Sequence, residues 1–261
     1  MSFQAPISIS DALSRVDERR LLLPAIQREF VWGSEKIEWL FDSLLQGYPI
    51  GSFLFWQVRD ADKINYPYYE ILRNYRERYA TYVKDAFNTA GHFDFDAVLD
   101  GQQRLSSLYI GLKGSYAYKM PRVWWENTDK VLPTRKLHLN IVKCAPDNDD
   151  DEPGRIYEFK FLTNAEIERD QKGWFQVGRI LDTRGAHELY KLKDNQFAFE
   201  ALSKLHTVVH IDKIINYYLV TRADAERALN VFSPRQQWRR TVIVVRYVDV
   251  HRYRALEREG C

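Results

Sequence analysis

Chemistry concentrates between Val98 and Tyr109, in the run Val-Leu-Asp-Gly-Gln-Gln-Arg-Leu-Ser-Ser-Leu-Tyr. Apolar residues lead into an acid, a glycine and three polar side chains, and then into an amphipathic pattern. A buried strand that breaks at Gly101 and turns straight into a helix leaves the first N–H groups of that helix without intrahelical acceptors. Those groups, the positive end of the helix dipole and the fork of Arg104 converge on one place, suited to a phosphate or another anion. Asp100 beside it can hold a metal ion or a water. The plain alternative is a turn closed by a structural salt bridge, with Ser106 and Ser107 as ordinary first-turn helix residues.

The elements that must position this run are legible from hydrophobic period. A short polar helix is expected from Ser10 to about Val16, followed by an extended Leu21-Leu-Leu-Pro24. Ile37, Leu40, Phe41, Leu44 and Leu45 fall on one helical face, with Ser34 as the expected N-cap and Gly47 as the stop. Tyr48-Pro-Ile-Gly51 reads as a turn and Ser52–Val58 as a buried strand. Asp60–His92 reads as helix plus loop, and Phe95–Leu99 as the strand that feeds the chemical run. Leu137–Val142 and Arg155–Phe161 alternate like antiparallel strands around an acidic turn, Asp147–Gly154. Thr163 and Glu166 have capping-box spacing. Gln196 to about Tyr218 reads as mostly helical, and Asp224–Phe232 as the start of a further helix.

Composition narrows the function classes. The chain has 261 residues, 45% hydrophobic and 14% aromatic, enough for a packed core. With 38 basic and 36 acidic residues the net charge is only +2, so any contact with DNA must be local. Cys144 and Cys261 offer no disulfide framework and no metal-ligand spacing, which suits a reducing cytoplasm, and Cys144 is expected to be a small buried residue. The N-terminal residues show no basic region followed by an apolar run, and no stretch approaches membrane-span length, so a cytoplasmic location is expected. The six histidines show no metal-ligand spacing, although His206 and His210 stand four apart. Trp32, Trp39, Trp56, Trp124 and Trp125 could stack on bases, but in so aromatic a chain core positions are the expectation.

Two motifs together resemble one family. Pro24-Ala-Ile-Gln-Arg28, a helix ending Asp42-Ser-Leu-Leu-Gln-Gly47, Tyr-Pro-Ile-Gly51 and a strand form the first. Leu99-Asp-Gly-Gln-Gln-Arg104 and its helix form the second. The chain resembles the N-terminal domain of GmrSD-type restriction proteins, of the ParB/sulfiredoxin-like superfamily. That resemblance implies an α+β fold, with a ParB/sulfiredoxin-like nucleotide-binding domain over 8–160 and a mostly helical extension over 161–232. It implies a nucleoside triphosphate, with Mg²⁺, held by Gly101, Gln102, Gln103 and Arg104, with Gln27 and Arg28 as the opposite wall. Asp100, Gln103 and Arg104 are the expected catalytic residues, and Asp100 the expected metal ligand. The implied role is a nucleotide-binding, nucleotide-hydrolysing module of a modification-dependent DNA restriction system in phage defence. Such phosphoryl transfer to water rests on positioning and charge stabilisation. No Gly-x-x-x-x-Gly-Lys-Ser/Thr loop is present.

Other readings remain open beside it. They are a ParB-like module in which nucleotide switches DNA or partner binding, a metal-dependent DNA phosphodiesterase, and a non-functional fragment. From about Ser233 the pattern departs from the family, which reads Arg-Val-Asn-Ser-Gly-Gly there. A one-base shift lets the codons of Gln236–Arg239 spell Asn-Ser-Gly-Gly, so residues 233–261 are expected to be an atypical, out-of-frame tail. A longer protein with an HNH nuclease part is the corresponding expectation, since none of the histidines here forms one.

Overall fold

The computed structural model describes residues 2–25, 28–59, 66–145, 154–170, 173–183 and 195–221. Strand β1 (Ser2–Phe3) precedes helix α1 (Ile9–Asp17). Ser8 caps α1 by accepting from the Asp11 N–H, while the Asp11 carboxylate accepts from the Ser8 N–H. Strand β2 (Leu21–Pro24) and helix α2 (Ser34–Leu45) follow. The N-cap of α2 is Gly33 rather than Ser34, which forms the first helical turn. Gly47 ends the helix at a φ of +83°, a conformation that favours glycine.

Strand β3 (Ser52–Val58) is apolar on both faces, as a strand buried from both sides requires. Two short strands, β4 (Tyr68–Tyr69) and β5 (Asn74–Arg76), stand where the sequence suggests a helix; the described part of Asp60–His92 contains no helix. Strand β6 (Phe95–Asp100) runs into helix α3 (Gln102–Leu112), then β7 (Ser115–Ala117) and β8 (Thr134–Asn140). Strand β9 (Phe159–Leu162) pairs antiparallel with β8, as the alternation predicts. Helix α4 (Asn164–Asp170) has the Thr163–Glu166 box, with Glu166 accepting from the Thr163 N–H at 2.7 Å. Strand β10 (Trp174–Gln176), a 3₁₀ turn (Val177–Asp182), helix α5 (Gln196–His206), a π turn (Thr207–Ile211) and strand β11 (Asn216–Val220) complete the described chain.

Two sheets result. The larger has the order β1-β11-β3-β6-β2-β4, with β11 parallel to β3 and β2 parallel to β6. The second joins β10, β8, β7 and β5, with β9 also on β8. Strands β10 and β11 pair with strands before residue 160, so the described residues between 161 and 220 add a strand to each sheet as well as helices α4 and α5. The architecture is mixed α and β. One apolar cluster joins Leu13 of α1, Phe41 of α2 and Leu108 of α3 to Phe53, Phe55 and Val98 of the large sheet and to Leu139 and Phe159 of the small one. A smaller cluster around Trp56, Tyr68 and Phe95 covers the opposite face of the large sheet.

Carboxylates staple these layers. Asp42, 1% exposed, accepts from the N–H groups of Ile156 and Tyr157 and from the Gln46 amide. Glu38, one helical turn earlier, accepts from the Phe161 N–H at 3.0 Å. Asp17 accepts from the Tyr109 hydroxyl at 2.6 Å and from Lys113, tying the end of α1 to α3. No helix among the described residues is long and apolar enough to cross a membrane. Cys144 is half-buried, not fully buried as expected. Residues 147–153 of the acidic turn, the expected helix at Asp224–Phe232 and the atypical tail lie outside the described residues.

Asp96, in register with Gln57 across β3 and β6, carries a pH signature. Burial pushes its carboxyl up to about 6, with Arg15 opposing. The folded-state value exceeds the unfolded one, so folding takes up a proton, and stability falls as pH rises from about 4 through about 6. Asp96→Asn should therefore stabilise by about 1–3 kcal/mol at pH 8 and be nearly neutral at pH 4. Urea unfolding at both pH values checks this, and equal effects at the two would refute it.

Candidate functional site

The turn between β6 and α3 is shaped by one glycine under two constraints. Gly101 has a φ of +93°, and a Cβ there would meet the Phe53 ring at 2.2 Å. No other residue satisfies both demands. The chain can then start α3 at once, with Leu105 N–H donating to the Gly101 carbonyl. Helix geometry leaves the N–H groups of Gln102, Gln103 and Arg104 without intrahelical acceptors at this end.

Arg104 extends from this first turn toward the Tyr48–Gly51 turn. Its Nη1 donates to the Ile50 carbonyl, and its Nη2 donates to the Ser52 carbonyl at 2.8 Å and lies 3.4 Å from the Asp100 carboxylate. The guanidinium sits over the Phe53 ring at 4.6 Å. Gly51, at a φ of +77°, leaves the space that Nη1 occupies. Burial lowers the Arg104 pKa from its ordinary value, against the pull of Asp100, and the group remains charged. Much of the fork is thus spent on backbone carbonyls. Asp100 itself is well exposed at the mouth of the turn.

Gln102 and Gln103 hold the other motif. The Gln102 Nε2 donates to the Arg28 carbonyl at 2.9 Å. Gln103 makes a two-point contact: its Nε2 donates to the Glu29 carbonyl and its Oε1 accepts from the Val31 N–H, each at 2.9 Å. Residues 28–32 form neither helix nor strand, so these backbone groups have no ladder to join. Phe30 plugs the segment into the core, edge-on to Tyr75, and the Tyr116 hydroxyl donates to the Trp32 carbonyl at 3.1 Å. The structure therefore brings Asp100–Arg104 and Arg28 together; Gln27 lies outside the described residues.

A cleft of about 200 Å³ opens where the two motifs meet. Arg28 and Lys84 supply positive charge at its wall, Glu29 and Glu70 supply negative charge, Tyr69 and Tyr82 supply aromatic surface, and Gln102 closes one side. Glu70 is paired with Arg19 and Arg73, and Glu29 accepts from the Thr81 hydroxyl. Because the Gln102 amide nitrogen is committed to Arg28, its orientation is set, and the buried Oε1 is left as an acceptor without a protein partner. Sequence reasoning missed Tyr69, which reaches the cleft through the pairing of β4 with β2, and Tyr82 and Lys84, which follow the bond from Phe30 N–H to the Thr81 carbonyl. No local spacing signals a contact between segments so far apart. His206 and His210 stack at 4.8 Å, and His210 Nε2 lies 3.0 Å from the Ile180 carbonyl. Among the described residues no group of three or more His, Cys, Asp or Glu side chains is arranged to hold a metal ion.

Gln103 gives a direct test of the docking. Gln103→Ala leaves the Val31 N–H and the Glu29 carbonyl without their partners, at a cost of about 2–4 kcal/mol. The Val31 amide should lose its protection in hydrogen exchange well before the β3 and β6 amides do. Unchanged exchange at Val31 would show that the bonds from Gln103 do not hold the segment.

Residues 9–234 match the family described as the GmrSD restriction endonuclease, N-terminal domain. The chain is also 32% identical over 216 residues to an uncharacterized protein of Methanocaldococcus jannaschii, a match covering 77% of this chain and 33% of that protein. The chain thus spans about a third of the length of the curated relative it matches. With both motifs inside the matched span, the chain belongs to the GmrSD restriction endonuclease N-terminal domain family.

Proposed function

We propose that the chain is a nucleotide-binding, nucleotide-hydrolysing module of a modification-dependent DNA restriction system. The observation that supports it most is the docking of the two motifs into one cleft, with Arg28, Lys84 and Gln102 on its walls and the open end of α3 beside it. In this reading the phosphates meet Arg28, Lys84 and the amides of Gln102–Arg104 at the positive end of the helix dipole, while Glu70 stays neutralised by Arg19 and Arg73. The base occupies the tyrosine-lined part, between Tyr69 and Tyr82. Arg104 holds the turn in place and offers only its remaining hydrogens to a phosphate. Asp100 fits the usual demand of Mg²⁺ for one carboxylate plus phosphate oxygens and water, although Arg104 stands beside it. Such an ion would neutralise charge on the phosphates, and Asp100 would orient the attacking water. DNA enters through the restriction system as a whole, with the nuclease part supplied elsewhere.

One observation favours a second reading, a ParB-like switch without turnover. Gln103, expected as catalytic, has both ends of its amide committed to the backbone of Glu29 and Val31. A nucleotide there would act by ordering that segment.

A thermal-shift titration with ATP, GTP, CTP and UTP, each with Mg²⁺, tests the site. At 100 times Kd, binding contributes about 2.7 kcal/mol, so at least one triphosphate should raise the melting temperature by about 5 °C or more. Arg28→Ala and Lys84→Ala should lose that shift while melting like wild type, a cleaner comparison than Arg104→Ala, which also frees the Ile50 and Ser52 carbonyls. No shift with any of the four, from a cooperatively melting chain, would sink the proposal. Phosphate release that Asp100→Asn abolishes supports hydrolysis; binding without release supports the switch.

A further inference from the structure

The connection between β7 and β8 carries the most exposed large side chain described in the protein. Trp124 is 93% exposed, and Val123 beside it is 40% exposed. Tryptophan is usually well covered, because its area makes exposure in water costly. An exposed ring on a loose loop would be unremarkable, but this loop is braced. The Lys119 N–H donates to the Glu77 carboxylate at 2.9 Å, and the Lys119 Nζ donates to the carbonyls of Met120 and Val123 at 3.1 and 3.0 Å. Met120 N–H donates to the Val131 carbonyl, and Leu132 N–H to the Thr128 carbonyl, each at 2.8 Å. Arg76 reaches across to Asn127 at 2.6 Å and Asp129 at 3.0 Å. Trp125 packs against the small cluster of Ala117, Val131 and Leu132, with the Arg78 guanidinium 3.8 Å above its ring. One tryptophan anchors the loop and the next is held out in water.

The charges around it have one dominant sign. Glu77 and Asp129 are already engaged by the Lys119 N–H and by Arg76. Arg78, Arg122 and Lys130 are exposed in or beside the same loop, and the exposed acids among residues 121–130 are Glu126 and Asp129, the second paired with Arg76. An exposed aromatic ring on a braced loop that also carries exposed cations is the combination that binds single-stranded nucleic acid. A protein pocket for an indole would call for no such cations.

We propose that the Trp124 loop is a DNA contact in which the indole stacks on an unpaired base while Arg78, Arg122 and Lys130 meet the flanking phosphates. The base must be unpaired, because inside a duplex both of its faces are already stacked; a single strand or an extruded nucleotide supplies it. The inference rests on the geometry of this loop and needs no nucleotide in the cleft. The segment Arg76–Lys84 joins the two places, with Arg78 on Trp125 at one end and Thr81–Lys84 in the cleft wall at the other.

Fluorescence anisotropy of the full chain tests it, without added nucleotide, in low salt. The probes are a labelled 12-nucleotide single strand, the matching duplex, and that duplex with one unpaired base. Trp124→Ala should bind the single strand and the bulged duplex about 5–100-fold more weakly than wild type, and Trp124→Phe should recover most of the loss. Both variants should melt like wild type, since the ring touches little of the fold. Arg122→Ala should weaken binding to every probe and lower the salt slope by about 0.7–0.9. Equal affinity of Trp124→Ala and wild type would overturn the proposal, as would the absence of binding to all three probes. Trp124-dependent self-association without DNA binding, seen by sedimentation, would also overturn it and assign the loop to a protein contact.

Discussion

The irregular segment after β2 sets the hardest constraint in this fold. Residues 28–32 cross the start of α3 without belonging to any helix or strand, yet Phe30 buries them against the core. Their backbone N–H and C=O groups must be paired there or carry a desolvation cost of about 1–3 kcal/mol each. Three side-chain hydrogen bonds from Gln102 and Gln103 meet that demand. An amide side chain suits it because it donates and accepts from one planar group, as a backbone peptide does. A carboxylate at Gln103 could satisfy the Val31 N–H and would leave the Glu29 carbonyl unpaired.

The same helical turn organises a second segment through charge. Arg104 closes on the Ile50 and Ser52 carbonyls, and the glycines at 51 and 101 clear the space for its head group and for Phe53. Three consecutive polar residues therefore join the two halves of the family motif to one helix end. This dual use explains how so short a run can be both structural and functional. The side chains position the walls, while Gln102 itself lines the cleft and keeps a buried Oε1 without a protein partner. Carboxylates do the equivalent work deeper in the fold. Burial raises the pKa of Asp42 and Glu38, yet the N–H groups of Ile156, Tyr157 and Phe161 hold both as acceptors between α2 and the second sheet.

Much of the local structure is legible in the amino-acid sequence. The strand Phe95–Asp100, the break at Gly101, the helix Gln102–Leu112, the stop at Gly47 and the Thr163–Glu166 box all follow from period and turn chemistry that act over a few residues. Asp60–His92 reads as helix plus loop in the sequence, and its described part contains no helix, because β4 and β5 are two and three residues long, too short to show alternation. Residues 216–220 differ from the helical expectation for a related reason. Asn-Tyr-Tyr-Leu-Val becomes a strand by pairing with β3, more than 150 residues away in sequence, and only that partner selects the extended form.

The sequence by itself determined which residue types stand at the chemical turn and that a strand must meet a helix there, since glycine, acid and arginine at that spacing leave few alternatives. It also determined the family, because both motifs survive in order. Tertiary structure decided what those residues touch. Gln102 and Gln103 point at a segment more than 70 residues away, and Arg104 at one more than 50 away. Such contacts depend on how layers close on one another and leave no periodic trace along the chain. The cleft wall of Tyr82 and Lys84, and the tryptophan held in water at Trp124, were decided in the same way, by which neighbours the fold brought near and which it did not.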